Sequence, residues 1–271
     1  AKRFPAAIFL CTQTESRAAP CYVTLINCFC HVGKVALAFS VFGKLLKCGL
    51  PYDVVTLNTL INGICLNGAV STALKFHDEM VVDGFEFNEI TYGMLIKGLC
   101  DVGKTKVAVR LLRMIQHCVF NVKRNVVMYS RIIEGLCKEG LVSEACEWYY
   151  EMVGNNVEPN VFTLRPLVRA LCAAGRLNKA VRMVEEMIWK GVFVNVYVLI
   201  VLIDSFCKKG MVGEVRDVFD EMIKRGCEVS VVACSALMAA YCLKNKVDEA
   251  RRLFDEVVGW PDVWIYNVLI N

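Results

Sequence analysis

Seven cysteines recur at a near-constant interval along this chain of 271 residues. Each follows a short apolar run, as in INGICLNG at 61–68, and successive spacings are 35, 35, 37, 35, 35 and 35 residues. Cysteine thiolates act as nucleophiles and as metal ligands, and paired thiols form disulfides. The repeated cysteines are Cys30, Cys65, Cys100, Cys137, Cys172, Cys207 and Cys242.

The sequence lacks the residue spacings that zinc binding and nucleophilic catalysis require. No two cysteines stand three apart, so the C-x-x-C half-site of a zinc centre is missing. The closest pair, Cys28 and Cys30 beside His31, completes no recognised metal-site spacing. There is no Walker loop and no G-x-S-x-G, and the three histidines lie in unrelated contexts. The sequence therefore predicts no enzyme, no metal site and no cofactor.

Disulfides between the repeated cysteines are excluded by the same period. In a stack of repeats, equivalent atoms on neighbours lie about one helix diameter, ~10 Å, apart, which a disulfide cannot span. Free cysteine behaves as a small buried hydrophobe. The 15 cysteines therefore indicate a reducing compartment.

The elements that position these cysteines are predicted from residues 54–88, taken as a reference repeat. Its first apolar stripe has helical steps of three and four and consists of Leu57, Leu60, Ile61, Ile64 and Cys65. Asn67-Gly68 is a helix stop, because glycine readily adopts the left-handed conformation. A second helix is predicted with Ser71 as its N-cap, and Asp83-Gly84 ends it. Its stripe includes Ala73, Leu74, Phe76 and Met80. Each repeat is therefore a helical hairpin.

A period near 35 residues, made of helical hairpins, predicts an all-α fold, an α-solenoid of stacked antiparallel helical hairpins. We expect its superhelix to be right-handed, which the period alone does not determine. Residues 1–18 are expected to form an irregular cap or part of a preceding repeat. Residues 263–271 are expected to begin a truncated eighth repeat of a longer protein. The seven predicted repeats are 19–53, 54–88, 89–125, 126–160, 161–195, 196–230 and 231–262.

Small residues at fixed places predict close helix packing. In the first helix they are Gly63, Gly98, Gly135, Ala170, Ser205 and Ala240, and in the second Ala38, Ala73, Ala108, Ala145, Ala180 and Ala250.

Charge and hydropathy limit the classes of partner that the chain could have. A net charge of +4 permits a polyanionic partner without requiring one. The longest charge-free stretch, 54–74, has the length of a membrane span but is interrupted by asparagine and glycine, so no membrane helix is expected.

The repeat at 126–160, VVMYSRIIEGLCKEGLVSEACEWYYEMVGNNVEPN, resembles the pentatricopeptide repeat family, as does 54–88. The tetratricopeptide pattern W-x₂-L-G-x₂-Y is absent. The near-constant length resembles the P-type subclass, and INCFCHVGK and TLNTLINGICLNG resemble its restorer-of-fertility-like branch in plants. The resemblance covers residues 19–271.

The resemblance implies sequence-specific binding of single-stranded RNA, one base per repeat, in mitochondria or alternatively plastids. Such a protein occupies or remodels a transcript, with other RNA-processing proteins as possible partners. A protein-binding scaffold without RNA specificity is the alternative, since stacked hairpins also form peptide-binding grooves.

The resemblance also assigns base reading to the fifth residue of each repeat together with its last residue. By analogy, Asn58 with Asn88 favours a pyrimidine, Ser130 with Asn160 adenine, and Ser235 with Asp262 guanine. The alternative role of the last residues is N-capping of the helix that follows. The fifth residues are Val23, Asn58, Gly93, Ser130, Arg165, Ile200, Ser235 and Asn267. The last residues are Asp53, Asn88, Asn125, Asn160, Asn195, Ser230 and Asp262.

Not every repeat has a reading side chain. Val23, Gly93 and Ile200 have no group that could hydrogen-bond a base edge, and Arg165 suits a phosphate better. Lys138 and Lys208, directly after the repeated cysteine, are further phosphate candidates. The second residue of each repeat is expected to wedge between bases, against the alternative that it is ordinary core. These residues are Val55, Ile90, Val127, Phe162, Tyr197, Val232 and Trp264.

Overall fold

The computed structural model describes residues 19–117, 122–189, 196–209, 212–224 and 231–257. These residues form fourteen α-helices and no strand. Their contacts divide the chain into an N-terminal half, 1–135, and a C-terminal half, 136–271. The helices are α1 Ala19–His31, α2 Val35–Lys47, α3 Val54–Leu66, α4 Val70–Val82, α5 Glu89–Asp101, α6 Thr105–His117, α7 Val126–Lys138, α8 Val142–Gly154, α9 Val161–Ala173, α10 Leu177–Trp189, α11 Val196–Lys209, α12 Val212–Lys224, α13 Val231–Leu243 and α14 Val247–Val257.

The helices form antiparallel hairpins because very short turns join the two members of a pair. In the N-terminal half, α3 packs on its partner α4 and on the neighbouring first helices α1 and α5. In the C-terminal half, α11 packs on α12 and likewise on α9 and α13. The predicted all-α fold of stacked helical hairpins is confirmed. The right hand of the superhelix stays a prediction.

The predicted helix stop after the repeated cysteine is confirmed at Gly68. Its φ of +75° lies in the left-handed region, where glycine has no steric penalty. Asn245 replaces this glycine in the last full repeat and takes the same conformation, with φ of +54°. Asparagine is the residue that most often substitutes for glycine there.

The apolar stripes of the reference hairpin fill its core. On α3 every residue of the predicted stripe is buried, and on α4 Ala73 and Phe76 are buried while Leu74 and Met80 are half-buried. The sequence pattern missed His77, which is buried on the same face of α4. Its ring stacks on Phe87 with the centroids 4.8 Å apart.

The prediction of Ser71 as an N-cap is wrong. The carbonyl of Ala69 accepts the first hydrogen bonds of α4, from the amides of Thr72 and Ala73. The turn therefore starts the helix before Ser71, and no side chain caps it. Instead the hydroxyl of Ser71 accepts a hydrogen bond from Nζ of Lys104 at 3.2 Å, and so connects neighbouring repeats.

The same junction recurs in the C-terminal half. Arg176 precedes α10 as Lys104 precedes α6, and its guanidinium donates to the hydroxyl of Ser143 at 3.0 Å. Ser143 lies in the first turn of α8, the place that Ser71 occupies in α4. Both contacts join residues 33 positions apart.

The repeated cysteine packs against a glycine of the next first helix. A Cβ at Gly98 would lie 2.9 Å from Sγ of Cys65, and Gly63 adjoins Cys30 still more closely. Burial raises the pKa of the Cys30 and Cys65 thiols to about 11, so both stay protonated near neutral pH. These contacts confirm the predicted role of the small residues at Gly63 and Gly98, and they give the buried thiols a packing role.

Candidate functional site

The second residue of α3, α5, α7 and α9 is a large apolar side chain that faces solvent. Val55, Ile90 and Val127 in the N-terminal half are 64%, 65% and 53% exposed, and Phe162 in the C-terminal half is 79% exposed. Scattered apolar residues on a surface are ordinary, but the same place in successive repeats is not random. These four predicted wedge residues are therefore not core. The side chains of Tyr197 and Val232 lie outside the described residues.

The last residue of a repeat caps the first helix of the next one. Asp53 Oδ1 accepts from the amide of Thr56 at 2.9 Å, and Asn160 Oδ1 accepts from that of Thr163 at 3.2 Å. The Asp53 pKa is lowered, chiefly by the Thr56 amide. Capping is therefore confirmed for these residues, and it leaves other side-chain atoms able to contact a ligand. Asn88 and Asn125 accept from backbone amides in the same way.

The structure brings Asn58 and Asn88, the two predicted reading residues of one repeat, to a shared neighbour. The hydroxyl of Thr91 lies 2.7 Å from Oδ1 of Asn58 and 3.4 Å from Oδ1 of Asn88. Asn58 is half-buried and Asn88 is exposed. Thr91 is not among the predicted site residues, although a threonine recurs at the third residue of first helices in Thr56, Thr91 and Thr163.

The fifth residues of the repeats differ in how much of each side chain is exposed to a ligand. Ser130 and Ser235 are 7% and 4% exposed, so a base would reach their hydroxyls only over a small area. Val23, Gly93 and Ile200 are half-buried, and a Cβ at Gly93 would meet no atom within 4 Å. Asn195, Ser230, Asp262, Trp264 and Asn267 lie outside the described residues.

Among the described residues, the cationic side chains of the first helices differ in whether an acidic side chain pairs with them, and Lys208 lies at the opposite end of its helix from the capping, second and fifth residues. Lys208 is exposed, but its Nζ lies 2.7 Å from Asp204, and Arg131 pairs with Glu134 at 3.0 Å. Arg165 and Arg169 are both exposed, four residues apart on α9, a helix that has no acidic residue.

Membrane spans and metal sites are the two other classes of feature that bear on the described residues. None of their helices has both the length and the hydropathy needed to cross a membrane. Nor do they bring together three or more His, Cys, Asp or Glu side chains that could hold a metal ion.

The amino-acid sequence matches known repeat families over most of its length. The PPR repeat family matches residues 19–65, 52–101 and 124–173, and the single PPR repeat matches 90–118, 163–192, 199–227 and 232–260. The chain belongs to the pentatricopeptide repeat (PPR) family. The matches cover all seven PPR hairpins that the structure describes.

Two solved structures have a similar fold. The crystal structure of the maize pentatricopeptide repeat protein PPR10 is 19% identical, with a TM-score of 0.50 over 96% of this chain and 42% of its own. That of the nuclear proteinaceous RNase P 2 from A. thaliana is 14% identical, with a TM-score of 0.56 over 69% of this chain and 41% of its own. The PPR chain described here therefore spans about two fifths of either protein's structure.

Within each PPR hairpin, the described site residues lie at one end. The capping residue, the exposed second residue and the fifth residue all belong to the first turns of the first helix. Apolar surface, amide groups and, on α9, guanidinium groups are therefore close together. Such a combination suits a ligand that has flat rings, polar edges and negative charge.

Proposed function

We propose that this chain binds single-stranded RNA, each hairpin contacting one nucleotide through the first turns of its first helix. The observation that carries the proposal is the exposure of Val55, Ile90, Val127 and Phe162 at one place in a PPR chain. Stacking of bases on an aromatic side chain contributes about 1–3 kcal/mol in single-strand binders. Phe162 supplies such a side chain, and the aliphatic residues supply apolar contact.

Base preference is proposed for the repeats whose fifth residue is polar and uncharged. Asn58 with Asn88 would read a pyrimidine, Ser130 with Asn160 adenine, and Ser235 with Asp262 guanine. The preferred tract is therefore Y-n-A-n-n-G, where Y is a pyrimidine and n any base. The burial of both serines restricts the area through which a base is read, so we expect Asn58 to discriminate most strongly.

Phosphate contacts are proposed for Arg165, Lys138 and Lys208, and also for Arg169, which is exposed on the same helix as Arg165. Lys208 must leave Asp204 to bind a phosphate, but an exposed pair of this kind contributes only about 0.3–0.5 kcal/mol. With few cations at the site, affinity should be moderate and should fall as salt rises.

The wider assignment follows the family. We propose a P-type, restorer-of-fertility-like protein that acts in mitochondria, or alternatively plastids, on RNA processing, stability or translation. It would occupy a transcript or recruit other RNA-processing proteins without chemistry of its own. The division of 19–262 into seven repeats, with 1–18 and 263–271 belonging to flanking structure, remains part of this proposal.

The decisive experiment is equilibrium binding of the chain to RNA that contains Y-n-A-n-n-G and to a scrambled tract of equal length, over a salt series. Tighter binding to the matched tract supports the proposal. Equal affinity for the two tracts would contradict base reading, and no binding at low salt would contradict RNA binding by this chain. Capture of an apolar peptide in place of RNA would favour the protein-binding scaffold.

A further inference from the structure

We infer that Thr91 positions the amide of Asn58 and thereby sets the base preference of the repeat at 54–88. The inference rests on the proposed binding of RNA and concerns one nucleotide of the tract. Thr91 itself is fully buried, so it acts on RNA through Asn58.

The hydrogen bonds around Thr91 assign its single hydroxyl proton. The hydroxyl donates to Oδ1 of Asn58 at 2.7 Å, a good hydrogen-bond length, whereas Oδ1 of Asn88 is 3.4 Å away. Oδ1 of Asn88 already has two hydrogen-bond donors, because it accepts from the amides of Ile90 and Thr91 at 3.1 and 3.3 Å. The proton of Thr91 is therefore committed to Asn58.

This bond decides which end of the Asn58 amide faces RNA. With Oδ1 held by a hydroxyl, the group left to a ligand is the Nδ2 amino group, which can only donate. A donor there matches the O2 carbonyl that cytosine and uracil share. Without the hydroxyl, the broad terminal torsion of asparagine lets the amide turn over and present Oδ1 as an acceptor instead. Thr91 thus restricts Asn58 to one of two hydrogen-bonding faces.

Thr56 provides a matched comparison in the preceding repeat. It is also a buried threonine at the third residue of a first helix, and its hydroxyl bonds the capping residue Asp53 at 2.9 Å. Asn58 lies in the repeat before that of Thr91, and the corresponding residue in the repeat before that of Thr56, 19–53, is Val23, which has no polar side-chain atom. The Thr56 hydroxyl therefore bonds its capping residue and has no reading amide to orient.

The test compares Thr91→Val, Thr91→Ser and Thr56→Val in the whole chain. Each variant is titrated with four RNAs that differ only at the Y of Y-n-A-n-n-G, and thermal melts establish that it is folded. We expect Thr91→Val to reduce the preference for pyrimidine over purine at that nucleotide about fivefold, the equivalent of one hydrogen bond. Thr91→Ser should restore the preference, and Thr56→Val should leave it unchanged.

A double-substitution cycle adds a readout independent of overall stability. Asn58→Ser shortens the reading side chain, so Thr91→Val in that background should no longer alter the preference at Y. If Thr91→Val does not fold, Thr91→Ala removes the hydroxyl without adding a methyl group to the buried site and takes its place.

The outcomes distinguish failure of this inference from failure of the proposed RNA binding. If the wild type discriminates at Y and Thr91→Val discriminates equally, positioning by Thr91 is overturned while RNA reading stands. The same conclusion follows if Thr56→Val weakens the preference as much as Thr91→Val does. If the wild type binds RNA with no preference at Y, or does not bind, the proposed reading itself fails.

Discussion

The thiol of Cys65 lies against Gly98 on the neighbouring first helix, where a Cβ would come within 2.9 Å of Sγ. The glycine allows α3 and α5 to approach closely enough for the cysteine to fill the space between them. The repeated apolar-Cys pattern and the repeated small residue are therefore two sides of one contact between adjacent hairpins.

Gly98→Ala should destabilise the protein by about 1 kcal/mol. Overpacking a tight core costs about 1–3 kcal/mol, and the better helix propensity of alanine returns less than about 1 kcal/mol. Urea denaturation measures the difference. Gly93→Ala on the same helix is the control: its Cβ would enter open space, so it should stabilise the protein slightly. Equal effects of the two substitutions would contradict the contact.

Phe162→Ala should weaken RNA binding about tenfold while changing stability little. The ring is mostly exposed in the free protein, so its removal costs little packing, whereas a stacked base would lose about 1–3 kcal/mol. Titration with RNA and a thermal melt separate the two effects. Trp189→Ala in the second helix of the same hairpin removes another exposed aromatic ring and should leave RNA affinity unchanged. A comparable loss there would argue against a special role for Phe162.

Arg165 and Arg169 should make the largest contribution to the salt dependence of RNA binding. On single strands, each phosphate contact contributes about 0.7 to the slope of log affinity against log salt concentration. Replacing both with glutamine should therefore lower the slope by about 1.4. Arg131→Gln, which removes a cation paired with Glu134 at 3.0 Å, should lower it less than Arg169→Gln does. The reverse order would show that pairing does not decide which cations contact RNA.

Stability should fall in alkali because several thiols are buried. Burial raises the pKa of Cys30, Cys65 and Cys234 from an ordinary 9.0 to about 11. Between these values the unfolded chain releases thiol protons that the folded chain retains, so rising pH favours unfolding. Their stabilisation is complete below about pH 9 and is lost as pH rises through about 11.

Urea midpoints at about pH 8 and about pH 10 measure this loss of stability. Cys65→Ala should reduce the difference between the two midpoints, because it removes one of the titrating groups. Cys48→Ala replaces an exposed thiol and serves as the control. An unchanged difference in Cys65→Ala would show that this thiol does not drive the alkaline loss.

Features set by residues close in sequence could be predicted. The helical stripe of α3, the stop at Gly68 and the capping by Asp53 each depend on side chains within one or two turns. Ser71 shows where prediction from local sequence fails. The helix begins at the carbonyl of Ala69, which lies before the capping side chain nearest in the sequence. The pairing of Lys208 with Asp204 at a spacing of four residues was equally local and could have been foreseen.

The remainder of the site depends on contacts between repeats. Thr91 reaches Asn58 across 33 residues, and nothing in either local sequence indicates that they meet. Burial is also collective: Ser130 and Ser235 look like accessible polar residues, but neighbouring structure covers most of each. Phe162 is the opposite case. Its large apolar side chain would suggest a core position, but its place at the start of a first helix leaves it exposed to solvent.

The junctions of Lys104 with Ser71 and of Arg176 with Ser143 have an evolutionary consequence. At both, a cation ahead of one second helix meets a serine at the start of the preceding one. The two groups lie in different repeats: Ser71 and Ser143 belong to helices preceded by Ala69 and Leu141, whereas Lys104 and Arg176 belong to the repeats that follow. A pair of neighbouring repeats duplicated within the gene would therefore bring a complete junction with it. By such additions a chain would lengthen two repeats at a time, and the proposed RNA tract would lengthen by two nucleotides.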